Sequence, residues 1–175
     1  MIETRIVPLT SDDWRRWREV RLAALAEAPY AFGSTLADWQ GAGDREERWR
    51  ARLSIPGALD LLAVLDSDGG GNGGHSQPVG MASGVPGPHE GVVELISMWV
   101  SAAARGHGVG DRLVRSVLEW AAARHAHTVE LAVMPGNAHA FALYRRHGFA
   151  DLGPLGDVLP DGRREHLLRR ALPTV

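Results

Sequence analysis

Apolar residues run almost unbroken from Val92 to Val100 (VVELISMWV), the pattern of a strand buried on both faces, and predict a central strand there. From Val109 the pattern changes. Val109, Leu113, Val117, Trp120 and Ala121 recur at a helical period, with Arg112, Arg115 and Glu119 between them. A strand therefore passes into a helix through Arg105-Gly106-His107-Gly108-Val109-Gly110. Upstream, Thr4 to Pro8 reads as a short strand. Thr10-Ser11-Asp12-Asp13 then supplies cap oxygens and first-turn carboxylates for a helix through about Ala26, with Trp14, Trp17, Val20, Leu22 and Leu25 as its apolar positions. Pro29 stops that helix and opens a loop to Thr35. A charged helix follows from Asp44 through about Leu53, with Trp49 and Leu53 inward and Arg45, Glu46, Glu47, Arg48 and Arg50 on a solvated face.

Strands at Leu59 to Leu65 and about Pro78 to Val85 flank a Gly-rich segment, Asp66 to His75, whose composition cannot bury enough apolar surface to order itself. Residues 66–78 are thus expected to form a flexible hairpin loop. A strand at Thr128 to Met134, a helix from about Ala138 to His147, a strand near Phe149 to Leu152 and a last one near Arg164 to Ala171 complete the order. This mixed α/β order fits one twisted sheet covered by helices.

Composition narrows the chemistry. The 175 residues are expected to form one domain with a sizeable core, residues 1–175. With no cysteine there is neither a disulfide framework, nor a thiolate metal site, nor a thiol nucleophile. A formal charge of −2 offers no basic excess for nucleic acid, and no apolar run is long enough for a bilayer, nor is a signal peptide read. The expectation is a cytoplasmic protein without a nucleic-acid or membrane partner, compatible with a homodimer. The histidines at 125, 127, 139, 147 and 166 show no paired ligand spacing, so no metal is expected.

The glycine-rich turn carries the strongest chemical signal. Its three glycines let backbone N–H groups approach a ligand at a helix N-terminus whose dipole favours negative charge, the physical recipe for a phosphate cradle. It is not a P-loop, because Asp111-Arg112 follows Gly110 where Lys-Ser/Thr is required. The dinucleotide fingerprint fails as well, since the spacing is G-x-G-x-G and Glu130 begins a strand instead of ending one. Gly80-Met81-Ala82-Ser83-Gly84 is not a nucleophile elbow, since its serine stands third after the glycine.

Two blocks carry a resemblance. The Arg-x-x-Gly-x-Gly pattern at Arg105, Gly108 and Gly110 resembles the pyrophosphate loop of the GNAT superfamily of acyl-CoA-dependent N-acetyltransferases, and Met98-Trp99-Val100 resembles its cofactor-binding strand. Asn137 to Phe149 is similar to the superfamily's Asn-x-x-Ala-x-x-x-Tyr-x-x-x-Gly-Phe signature. The resemblance covers roughly residues 92–150, which it marks as the cofactor-binding and catalytic core, and leaves residues 1–60 as the acceptor side. It implies an α/β fold with a single mixed, mostly antiparallel twisted sheet flanked by helices and splayed, after Val100, at the cofactor site. It also implies acetyl-CoA as cosubstrate, with Met98, Trp99, Val100, Arg105, Gly106, His107, Gly108, Val109, Gly110, Asn137, Phe141 and Tyr144 as its contacts.

Acetyl transfer to an amine needs a grip on the cosubstrate, a polarised carbonyl, a neutral amine and a proton for the departing thiolate. An alkyl amine with a pKa near ~10.4 is free in only about one molecule per thousand at neutral pH, so a base or a water chain is required. Glu94, a carboxylate in an apolar strand, is either that base or one half of a buried ion pair with an arginine. Tyr144 matches the family's general acid, and Asn137 serves as helix cap, pantetheine contact or both. On the acceptor side, Tyr30, Phe32 and Ser34 lie in the loop after Pro29 and either line the pocket or cap the core. The reading is an N-acetyltransferase acting on a primary amine of a small molecule or peptide through a ternary complex. A protein N-terminal or lysine acetyltransferase and a non-catalytic acyl-CoA-binding module are the alternatives.

Overall fold

The sheet takes strands from both ends of the chain. The computed structural model describes residues 3–66 and 76–173. In it β1 (Glu3–Pro8), β2 (Leu59–Asp66), β3 (Ser76–Pro86), β4 (Val92–Val100), β5 (Thr128–Val133), β6 (Ala150–Asp151) and β7 (His166–Ala171) form one sheet in the order β1-β2-β3-β4-β5-β7-β6. Every neighbouring pair is antiparallel except β4 with β5. Around the sheet lie α1 (Trp14–Glu27), α2 (Glu46–Arg52), α3 (Val109–Ala123) and α4 (Ala138–Arg146). The tip of the expected hairpin loop, residues 67–75, lies outside the described residues.

Two apolar layers sit on opposite faces. Leu113, Val114 and Val117 of α3 pack with Leu61, Ala63, Val93, Leu95 and Leu131, whereas Trp17 and Val20 of α1 and Trp49 of α2 pack with Leu62, Val64, Met81 and Trp99. Thr10 caps the start of the first helical segment in a capping box with Asp13, as its sequence signature requires. Asp44 does not begin α2. It takes two bonds from Arg18 (2.7 and 2.5 Å) and one from the Trp49 indole (2.9 Å), tying α1 to α2, and these bonds hold its carboxyl down at about 2.

One irregularity in β4 shapes everything around the site. Met81 faces Trp99 across the ladder and Ser83 faces Ile96, so β4 carries an extra residue between these pairs, and Ser97 there has φ 56°. Because side chains alternate along a strand, the extra residue reverses their phase: Val93 and Leu95 face α3, yet Trp99 faces α1. Met98 and Val100 thereby pack on the α3 side.

Pairing between β4 and β5 is correspondingly short. It covers Val92 with Thr128, Val93 with Val129 and Glu94 with Glu130, then stops. The splay expected after Val100 therefore begins six residues earlier, after Glu94. The bulge bends and twists β4 while β7 holds β5 along its other edge, and the two strands diverge.

Candidate active site

The divergence of β4 and β5 opens a cleft of about 640 Å³. Leu95 to Val100 form one wall, Ala132 to Met134 the other, and Arg105, Gly106 and Gly108 to Asp111, with Asn137 at the start of α4 and His139, Ala140, Leu143 and Tyr144 on it, close the end. Beyond Glu94 the β4 edge facing β5 has no strand partner, so its backbone groups can bind an extended ligand as an added strand would. The Val100 carbonyl is an exception, since it accepts from Arg105 Nε at 3.1 Å.

The turn is built as the glycines predict. Gly106 and Gly108 have φ of 81° and 76°, and a Cβ at either would meet nothing within 4 Å, so their requirement is the left-handed backbone. Gly110 serves packing instead, with a Cβ there 3.3 Å from Leu143 of α4 and 3.5 Å from Met98. Among the described residues, no amide from Gly106 to Asp111 has a hydrogen-bond acceptor, and Gly108 gives α3 no side-chain cap. A row of open N–H groups at a helix N-terminus fits a pyrophosphate. Gly108→Val adds a β-branched side chain at positive φ, a strain of about 1–3 kcal/mol. Its expected result is acetyl-CoA binding weakened at least about tenfold by calorimetry, with the fold retained.

The other residues of the turn contribute less than the sequence implies. Arg105 lines the cleft, but its guanidinium is engaged by Glu27 of α1 at 2.8 Å, leaving the amides as the main positive pole. The His107 ring bonds the Arg105 carbonyl at 3.0 Å and does not line the cleft. Asp111, the residue that excluded a P-loop, joins α3 to α4. Burial works against its charge, but bonds from His147 (2.8 Å) and Arg146 (3.2 Å) outweigh that and keep its carboxyl below the usual range.

On α4, Asn137 caps the helix by accepting from the Ala140 amide at 3.3 Å and also lines the cleft. Tyr144 is buried against Phe149, edge to face at 5.7 Å, and lines the cleft as well. Its hydroxyl has no hydrogen-bond partner among the described residues, and burial pushes the phenol above its ordinary pKa, so it stays protonated throughout the neutral range. Phe141 is not in the cleft wall and packs edge-on against His166 at 5.3 Å.

A second cavity of about 340 Å³ is lined by Trp17, Arg21, Phe32, Ser34, Trp39, Trp49, Arg52 and Glu165 among others. It shares Ala31, Phe32, Leu95, Ile96, Ser97 and Ala132 with the first cleft, so the two meet at the β4 bulge. Phe32 thus lines both cavities and Ser34 the second. The side chain of Tyr30, in the turn Pro29–Ala31, lies outside the described residues.

Glu94 sits at the last β4–β5 pair, one residue short of the cleft wall, and lines neither cavity. Among the described residues it has no ion pair; its neighbour Glu130 takes Arg169 at 2.6 Å. Burial first, and Glu130 second, raise its carboxyl above the usual range. Glu165, which the sequence reading missed, does line the second cavity, and burial raises its carboxyl too. Also missed was a buried polar hub: Arg52 donates to Asp60 (2.9 Å), Ser83 (3.1 Å) and Ser97 (3.2 Å), and Ser83 to Asp60 (2.6 Å). Asp60 inside LDLLAVLD offered the same cue as Glu94, a carboxylate flanked by apolar residues in a strand.

Known proteins agree with this geometry. The profile of the Acetyltransferase (GNAT) family matches residues 15–149. The chain is 31% identical over 137 residues to an L-methionine sulfoximine/L-methionine sulfone acetyltransferase of Pseudomonas aeruginosa, covering 73% of each. It is 38% identical over 68 residues to an IAA acetyltransferase of Azospirillum brasilense, 39% of this chain and 44% of that one, so it spans less than half the length of that relative. The solved structure of a GCN5-related N-acetyltransferase from Kribbella flavida superposes with a TM-score of 0.72 at 23% identity, covering 97% of this chain and 98% of that one. With the family profile spanning most of its length and a splayed β4 beside an open amide cradle, the chain belongs to the GNAT family of acetyltransferases, which use acetyl-CoA.

Proposed function

We propose that this protein transfers an acetyl group directly from acetyl-CoA to a primary amine of a small molecule or peptide, both substrates being bound together. The observation that carries this is the junction of the two cavities at Ile96 and Ser97, which leaves one point where a thioester and an amine can meet. Acetyl-CoA, when bound, supplies the thioester acyl group. The amides of Gly106 to Asp111 bind its pyrophosphate, and the free β4 edge orients its extended arm. Tyr144 donates a hydrogen bond to the sulfur. Because its phenol lies above the thiol's pKa of about 8.5, complete transfer is uphill unless the proton released by the amine arrives in the same step.

The ammonium gives its first proton to a carboxylate before attack, and its second, released as the C–N bond forms, reaches the sulfur through Tyr144 as the C–S bond breaks. Glu94 reaches the amine only through water, whereas Glu165 faces the acceptor cavity. The test measures thiol release against a panel of amines with both substrates varied, for the parent, Glu94→Gln and Glu165→Gln. Intersecting double-reciprocal lines are expected; parallel lines contradict a ternary complex, and absence of release with cofactor still bound contradicts the enzyme. Loss of the base lowers kcat/KM about 10²–10⁴-fold at neutral pH, recovering as pH rises toward the amine's own pKa.

Stability moves the other way. A carboxyl raised above its unfolded value adds stability present below the ordinary pKa and lost as pH rises through the raised one. Gln at either position, uncharged like the protonated acid, is expected to melt at or above the parent temperature at neutral pH.

A further inference from the structure

Burial of a charge without a partner is rare in a folded chain and marks a place where something else supplies the partner. Arg21 projects from the apolar stripe of α1, between Trp17 and Leu25 one turn away on either side, and is only 9% exposed. Its Nη1 is buried and has no hydrogen-bond partner among the described residues. Its guanidinium stacks on the Phe32 ring at 4.5 Å, a contact that orients it but cancels no charge. The other arginine of the cavity, Arg52, is already matched by Asp60, with Ser83 and Ser97 filling its second nitrogen. Burial, with Arg52 second, pulls the pKa of Arg21 down to about 10, so it is still a cation at neutral pH.

Nor is Arg21 alone. Trp17 and Trp39 line the same cavity, and each has a buried indole N–H without an acceptor among the described residues. The fully buried unmet groups around this cavity among the described residues are thus donors, one of them charged, set in aromatic walls from Trp17, Phe32, Trp39 and Trp49; the carboxylate in the lining, Glu165, is not among the groups that act on the charge of Arg21. The single lone pair of a neutral amine must attack the thioester and carries no negative charge, so it cannot meet them. A carboxylate offers acceptor lone pairs and a negative charge, and a guanidinium is the side chain whose fork matches it.

We infer that the cavity beside Arg21 is a carboxylate subsite, and that the acceptor is a primary amine carrying a carboxylate together with an apolar side chain, as a free amino acid does. This rests on the acetyl-transfer reading for the amine and on the cavity alone for the carboxylate. The subsite sits on the acceptor side of Ile96 and Ser97, so a carboxylate held there leaves the neighbouring amine toward the cofactor cleft. The buried, unmatched cation is then the source of selectivity: an acceptor lacking the negative charge leaves Arg21 unpaired and gains nothing from it.

The probes are L-leucine, L-methionine and L-phenylalanine, each paired with its primary amide, which keeps the amine and side chain and removes the charge. The amide also stands in for the first residue of a protein, so one comparison separates a free amino acid from a protein N-terminus. Binding is read by calorimetry with CoA present and turnover by thiol release, for the parent, Arg21→Met and Arg21→Lys. At least one acid is expected to bind about tenfold or more tightly than its amide in the parent. Arg21→Met should reduce that ratio below about threefold while raising the melting temperature, because it removes a buried unmatched charge and keeps the stem. Arg21→Lys should retain part of the preference.

Equal binding of every acid and its amide overturns the subsite. So does an Arg21→Met variant that keeps the ratio, or one that melts lower with the ratio unchanged, which makes Arg21 a packing residue. If Arg21→Met does not fold, the parent and Arg21→Lys ratios decide the matter. Acid preference in calorimetry without thiol release from any amine leaves the subsite standing and removes acetyl transfer; release from amides and acids alike does the reverse.

Discussion

Tyr144→Phe is expected to lower kcat about 10²–10⁴-fold while leaving acetyl-CoA affinity and melting temperature close to those of the parent. The ring packs edge-on against Phe149 inside the α3-side core, and phenylalanine preserves that contact. The lost hydroxyl has no partner among the described residues, so its removal leaves no orphaned group behind. Stability and rate should therefore separate cleanly, which a core-filling tyrosine would not allow. Single-turnover thiol release together with calorimetry checks this; a variant with parental kcat would assign the proton to water.

The second large effect concerns Asp60. Its side chain is 3% exposed and Arg52's 14%, so Asp60→Asn leaves a nearly buried guanidinium without its counter-charge. Breaking such a pair from one side costs about 3–5 kcal/mol, a large share of the roughly 5–15 kcal/mol that holds a domain together. At about 2–4 °C per kcal/mol for a chain of this size, the melting temperature should fall by roughly 6–20 °C. Arg52→Met added to Asp60→Asn should recover much of that loss by removing the stranded charge. Activity should not recover, because Arg52 also holds Ser97, the residue at positive φ where the two cavities meet. Thermal melts and thiol release on the single and double variants separate the two roles.

Much of this architecture is legible in the chain because it is locally encoded. β4 occupies the predicted Val92–Val100, α3 begins at the predicted Val109, and Asn137 caps α4 where its residue type says it should. The amide cradle likewise depends on glycines a few residues apart. What escapes is set by partners distant in sequence. The extra residue at Ser97 is invisible in VVELISMWV, because alternation cannot show that a neighbouring strand skips a position, and the splay was accordingly placed too late. Nothing near Arg105 in the sequence shows that its guanidinium pairs with Glu27, far upstream. Arg52 shares a charged helix with residues that are solvated, and only the fold turns it inward. Arg21 was detectable in principle, since a charge within an apolar stripe is as informative as Glu94 within an apolar strand.

The two cavities differ in when they can exist. The phosphate cradle comes from one strand-turn-helix stretch, so its contacts span short loops and can form early as the chain collapses. The second cavity joins Trp17 near one end of the chain to Glu165 near the other, and it closes only when β7 has docked and α1 has packed on the far face of the sheet. In a refolding chain the glycine turn is thus expected to form before the second cavity, whose walls wait on contacts distant in sequence.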